Sequence, residues 1–203
     1  MASPIAHSFA GFWTSLVLRR PAKTRLIGHW RQYLPRLGVL ILLANAPDLD
    51  VLITPGFPGN ALHRGFTHSL TVAIAISLAL STVWRIVPGF WRSTLLYFTA
   101  YSSHVLIDFF TGTKLGWTNT GSGMPLFWPW PKTFSSPLIL IPGIHHKDLS
   151  ALFSLDNVWA CTYELLTCTV ITLVAGLLWK RRLKLQTNPP TSEPQTHLLS
   201  NLQ

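Results

Sequence analysis

Ala44-Asn45-Ala46-Pro47-Asp48-Leu49-Asp50 closes an apolar run that starts at residue 37 and ends it with two carboxylates one residue apart. The whole chain of 203 residues holds only seven acidic side chains. Two of its eight histidines follow within twenty residues, in His63-Arg64-Gly65-Phe66-Thr67-His68. A third cluster, Ser103-His104-Val105-Leu106-Ile107-Asp108, lies inside another apolar run. Ionisable groups are costly in apolar surroundings unless they pair or hold a ligand. Imidazole and carboxylate together form a common metal-donor set. A chain that places its scarce carboxylates beside its histidines is therefore expected to build a metal site.

Composition sets the medium. The chain is 48% hydrophobic and 11% charged, against about 25% charged in an average soluble domain. Mean hydropathy is +0.33. Those values predict an integral membrane protein. The net charge of +9 raises nucleic acid as a partner. The basic residues come in short runs beside apolar segments, however, and form no stripe on a DNA- or RNA-binding motif; no nucleic-acid partner is expected. Cys161 and Cys168 would stand about 10.5 Å apart along one helix, too far for a disulfide. Residues 1–18 carry no Lys or Arg, so no secretory signal peptide is expected.

In chain order, residues 4–18 are apolar but barely long enough to cross a bilayer at ~1.5 Å per residue. Residues 19–36 form a basic loop, and 37–53 are apolar, broken at Pro47. Residues 54–67 make a Pro/Gly-rich loop. Residues 69–87 are a spanning candidate with Thr67 available as N-cap. A turn marked by Arg85, Pro88, Gly89 and Arg92 leads to the helix 93–110. Residues 111–157 are a long Trp-, Pro- and Gly-rich connection. Its Phe127, Trp128 and Trp130 suit a membrane interface. The last span is 158–179, followed by Lys180-Arg181-Arg182-Leu183-Lys184. The tail 186–203 is polar and Pro-containing and is expected to be disordered.

If the last span ends in the cytoplasm, the segments 19–36, 85–92 and 180–184 are inside and hold twelve of the sixteen Lys and Arg. That bias fits the positive-inside rule. The same topology puts His7, Asp48, Asp50, His63, His68, His104 and Asp108 at one face of the membrane, although none of them entered the charge count.

The spacings bear on chemistry. His104 and Asp108 are i and i+4, on one helical face; a buried interhelical hydrogen bond is the plain alternative. Asp48 and Asp50 can converge in a turn, although Asp48 could simply cap it. His63 and His68 would not share a helical face, but Gly65 allows a loop to bring both inward. Imidazole with carboxylate suits zinc, with manganese or iron as alternatives, better than calcium. Six or seven ligands leave room for two metals, which activate water and hold a phosphoryl oxygen. A general base would come from Asp48 or Asp50. Arg64 could bind a substrate phosphate or a lipid headgroup. His145, His146 and Asp148 read better as a polar loop, and His29 and His197 as solvated. Glu164 sits in the last span and needs a partner, either the site or another helix.

At these motifs the chain resembles the YdjM-like family, the LexA-regulated, membrane-bound metal-dependent hydrolases of bacteria. The resemblance rests on Ile5-Ala6-His7-Ser8, Pro47-Asp48-Leu49-Asp50, His63 through Ser69, Ser103-His104 through Thr111, and Leu126-Phe127-Trp128-Pro129-Trp130. It implies an inner-membrane protein of several helices with metal-dependent hydrolase activity and a link to the SOS response. A more distant resemblance is to zinc-dependent phospholipase C, in Asp50, His63 and the His104/Asp108 pair. The chain has no His-x-x-x-Glu after residue 108, which points to two metals rather than three.

The resulting expectation is an all-α, polytopic membrane protein with about four or five membrane helices in residues 1–185 and a tail at 186–203. It would be a metal-dependent hydrolase of a phosphoester or lipid-linked substrate at the outer membrane–water boundary. Its partners would be membrane lipids and a small-molecule or lipid substrate; the sequence leaves the oligomeric state open. The rival class is a non-enzymatic transport or structural membrane protein whose His and Asp residues make interhelical contacts. No internal repeat of the kind transporters show is visible.

Overall fold

The computed structural model describes residues 2–17, 30–50, 65–121, 123–144 and 154–187. Among them are five α-helices: α1 (Pro4–Val17), α2 (Trp30–Asn45), α3 (Leu70–Val83), α4 (Phe90–Phe109) and α5 (Leu155–Thr187). Two short 3-10 helices, Ala46–Leu49 and Phe66–His68, follow α2 and precede α3. The chain divides into two compact units, Met1–Cys168 and Thr169–Gln203.

In the first unit α1 packs on α2 and α4, and α4 also packs on α2 and α3. The core between α2, α3 and α4 is built from Leu40, Leu43, Ala73, Ile86, Leu96, Tyr97, Ala100 and Tyr101. The inward face of α3 is small: Ala73, Ser77 and Ser81 recur every four residues and all are fully buried. Small side chains at that spacing let helix backbones approach closely, the packing habit of membrane helices. Two tyrosines one turn apart on α4 fasten both ends of α3. Tyr97 Oη donates to the Trp84 carbonyl at 2.8 Å, and Tyr101 Oη donates to the Thr67 carbonyl at 2.8 Å.

Several features differ from the sequence expectation, among them the last helix, which runs Leu155–Thr187 rather than 158–179. Helix α2 starts at Trp30, so Arg31 and Arg36 belong to a helix rather than a loop, and Pro35 lies inside it. Proline removes one intrahelical hydrogen bond, but the flanking residues are good helix formers. Ser69 rather than Thr67 caps α3, its Oγ accepting the Val72 N–H at 3.1 Å. The connection after α4 holds four two-residue strands: β1 (Thr111–Gly112), β2 (Gly116–Trp117), β3 (Leu138–Ile139) and β4 (Ile141–Pro142). Strand β1 pairs parallel with β4, and β2 antiparallel with β3. The fold is mostly helical with a small strand-bearing connector. Gly89, before α4, has φ +101, a conformation that favours glycine.

Within the first unit, α5 buries Ala160, Glu164 and Cys168, again at i+4 spacing. The question left open for Glu164 is answered by the start of α1. Its carboxylate accepts the Ser3 backbone N–H at 2.8 and 3.1 Å and the Ser3 hydroxyl. The second unit carries the rest of α5, with Ile171, Leu173, Leu177 and Trp179 exposed. Leu155–Arg181 is long and apolar enough to cross a membrane, the one such helix among the described residues. Helices α1 and α3 have 14 residues each and α2 has 16, short of the ~20 that a full span takes.

Candidate metal centre

The site lies where four elements end. His7 comes from the first turns of α1, Asp48 from the 3-10 helix after α2, His68 from the 3-10 helix before α3, and His104 and Asp108 from the last turns of α4. Helices α1 and α3 run opposite to α2 and α4, so these termini meet at one end of the bundle. Pro47, in the first turn of the 3-10 helix that follows α2, has no N–H with which to continue the α-helix, and Asp48 comes next in the chain.

Asp48, His68, His104 and Asp108 each offer one ligand atom, and all four atoms lie within 4.8 Å of one another. His68, His104 and Asp108 are fully buried. The two Nε2 atoms of His68 and His104 are 3.2 Å apart. Asp48 Oδ1 is 3.3 Å from His104 Nε2 and 3.5 Å from His68 Nε2. Asp108 Oδ2 is 3.9 and 3.8 Å from the same two nitrogens.

Hydrogen bonds on the far side of each ring fix where the protons are. His104 Nδ1 donates to the Ala44 carbonyl at 2.8 Å, one of the carbonyls that the end of α2 leaves without a helical partner. Thr67 Oγ1 donates to Asp50 Oδ2 at 2.9 Å and so accepts from His68 Nδ1 at 3.1 Å. With both Nδ1 protons committed, both Nε2 atoms present lone pairs to the same point. Burial pushes the His68 imidazole below its usual range, which favours the neutral, ligating form. Asp48 Oδ1 and Asp108 Oδ2 are buried without a hydrogen-bond partner. Two carboxylate charges no more than 4.8 Å apart repel by at least about 3 kcal/mol at an effective dielectric of about 20. Two lone pairs and two bare oxygens facing one point are what a divalent cation satisfies, so the donor set fits a metal ion.

The remaining candidates fall around this group. His7 is fully buried, stacks on His104 with centroids 3.8 Å apart, and brings Nε2 to 3.5 Å from Asp108 Oδ1. Both its ring nitrogens lack a hydrogen-bond partner. Asp108 Oδ1 also accepts the Ala2 backbone N–H at 2.9 Å. Asp50 stands behind His68, 3.8 Å from Nδ1, rather than in the group of four. His63, Arg64, His145, His146, Asp148, His29 and His197 lie outside the described residues, as does the tail from 188 on. Asp48 and Asp50 keep partial exposure, so the open side of the site is theirs. Two participants were not read from the sequence as site residues. Thr67, read as a helix cap, is the partner that orients His68; its position next to His68 was the one available signal. The Ala44 carbonyl left no trace in the sequence, because any residue supplies it.

A mostly helical chain with a long apolar helix and a buried Asp/His/His/Asp group that can hold a metal ion defines a class of membrane protein. Residues 3–184 match the model of the YdjM inner membrane protein family, and the chain belongs to that family. It is similar to the inner membrane protein YbcI of Escherichia coli (strain K12), with 33% identity over 153 residues, 70% of this chain and 82% of that protein. No solved structure matches it.

Proposed function

We propose that this protein is a multi-pass inner-membrane hydrolase that uses a divalent metal, zinc first, to cleave a phosphoester or a lipid-linked substrate at the outer membrane–water boundary. The observation that carries the reading is the convergence of Asp48, His68, His104 and Asp108 within 4.8 Å, with Asp48 Oδ1 and Asp108 Oδ2 unpartnered. In this reading those four residues hold the ion, and Asp108 with His7 forms the neighbouring half of a two-metal arrangement. Bound there, the ion supplies Lewis acidity toward a phosphoryl oxygen. Asp48 or Asp50, on the exposed side, takes the proton from the attacking water. From the sequence reading, His63 would add a metal ligand and Arg64 would bind the substrate phosphate.

The segments 4–18, 37–53, 69–87, 93–110 and 158–179 give the four or five membrane helices of this topology. The twelve-to-four bias of Lys and Arg puts the metal end outside. In this topology the metal end lies close to the outer headgroups, which favours a lipid-linked substrate.

Elemental analysis of the detergent-purified protein beside His104→Ala and Asp108→Ala tests the proposal. About one to two ions per chain, lost in both variants, are expected. Absence of metal in the wild type after reconstitution with zinc, manganese and iron would leave a non-enzymatic protein in which a shared proton, rather than a metal, joins these side chains across helices.

A further inference from the structure

At the opposite end of the bundle from the metal group is a cavity of about 210 Å³, lined by Ser15, Tyr33, Arg36, Leu37, Leu40, Ile86, Val87 and Leu96. Its deep wall is apolar: Leu40, Ile86 and Leu96 are almost fully buried. Among the described residues that line it, the one cation is Arg36. Among the described residues Arg36 forms no ion pair with a carboxylate, and neither do Arg85 and Arg92 in the turn whose Ile86 and Val87 line the cavity. The hydroxyls are already engaged with each other. Ser15 Oγ donates to the Phe12 carbonyl at 2.6 Å, so Tyr33 Oη donates to Ser15 Oγ at 2.8 Å. Among the described lining residues, Arg36 is therefore the donor left to meet a ligand. Around it the surface is exposed and apolar, with Leu34, Val83, Trp84, Trp91 and Leu95 at the same end of the bundle.

We propose that this cavity is a binding site for an anionic membrane lipid, with the phosphate on Arg36 and the first acyl methylenes on the Leu40, Ile86 and Leu96 wall. A guanidinium holds phosphate with two parallel hydrogen bonds, and that geometry is specific. Tryptophans interleaved with arginines are the signature of a membrane–water interface. A cavity opening there meets lipid headgroups at high local concentration, which separates this occupant from a water-soluble phosphate compound. The site shares no residue with the metal group and does not depend on it.

The test is thermal unfolding and native mass spectrometry of the full chain in detergent, with phosphatidylglycerol, diacylglycerol or inorganic phosphate added separately. Phosphatidylglycerol should raise the melting temperature and remain bound as a one-to-one adduct, whereas diacylglycerol and inorganic phosphate should do neither. Arg36→Gln, at an exposed position, should weaken the adduct about tenfold, the loss of one charge-assisted contact, without changing the melting temperature in detergent alone. Val87→Trp should fill the cavity and displace the lipid. Equal binding of diacylglycerol, or undiminished phosphatidylglycerol binding by Arg36→Gln, would overturn the assignment. Full stabilisation by inorganic phosphate alone would also overturn it, in favour of a free phosphate ligand.

Discussion

Thr67 decides what His68 can do. Its hydroxyl gives its proton to Asp50 and takes one from His68 Nδ1, which frees Nε2 for the site. Partners of this kind typically change metal affinity by 10–100-fold when removed. Thr67→Val should therefore weaken metal binding by about that factor in a chelator competition, while Thr67→Ser keeps it near wild type. Equal affinity in the Val variant would show that the tautomer of His68 is set by something else. Asp108 supplies the second residue-scale prediction. Its Oδ2 faces the Asp48 oxygen without a partner, and its Oδ1 holds the Ala2 N–H. Asp108→Asn keeps the second contact and removes the charge. The variant should lose metal, and a chelator that lowers the wild-type melting temperature should leave that of the variant unchanged. A chelator-sensitive variant would mean that Asp108 is not a ligand.

Among the elements, α1 and α2 touch most closely at Gly11. A Cβ built there would stand 2.7 Å from Ile41 Cα and 2.8 Å from the Leu40 carbonyl oxygen. These are backbone atoms, which cannot step aside without moving α2. Gly11→Ala should cost about 1–3 kcal/mol by overpacking, read as a lower melting temperature in detergent. His7 lies one turn before Gly11, so the same variant should also weaken metal binding; unchanged stability would show that the helices separate freely. The start of α1 is held differently. Ser3 Oγ accepts the Ile5 N–H at 3.1 Å and donates to Glu164. Ser3→Ala should cost about 1 kcal/mol, the usual worth of an N-cap, and leave metal content untouched, because Glu164 still accepts the Ser3 backbone N–H.

For the molecule as a whole, the group of four ties together the turn after α2, the turn before α3, and α4, and Asp108 extends it to α1 through His7 and Ala2. An ion that binds the folded state and not the unfolded one stabilises it by mass action, about 2.7 kcal/mol at a hundred times its dissociation constant. The melting temperature of the purified protein should thus rise with free zinc concentration and stop rising in His104→Ala. A zinc-independent melting temperature in the wild type would separate the side-chain cluster from metal binding. The apolar faces of α5 and the Trp–Arg end of the bundle explain why such an experiment needs detergent: they are surfaces made for lipid.

The sequence by itself settled the medium and the chemical class of the residues. Scarce charge, apolar runs and carboxylates beside histidines are one-dimensional signals, because burying an ionisable group is expensive wherever the chain folds. It also gave the His104/Asp108 face, since i and i+4 are neighbours on any helix. It did not give the start of α2 at Trp30, because Pro35 and the arginines read as a loop. It missed the strand pairs after α4, which are too short to show a period. It placed Asp48 and Asp50 together, whereas the fold separates their roles, one in the group of four and one behind Thr67. Which ring nitrogen faces the site, and which carboxylate oxygen is bare, was decided by the Ala44 carbonyl, the Thr67 hydroxyl and the Ala2 N–H. Those contacts span up to 106 residues of chain, and only tertiary packing brings such distant polar atoms within hydrogen-bond reach.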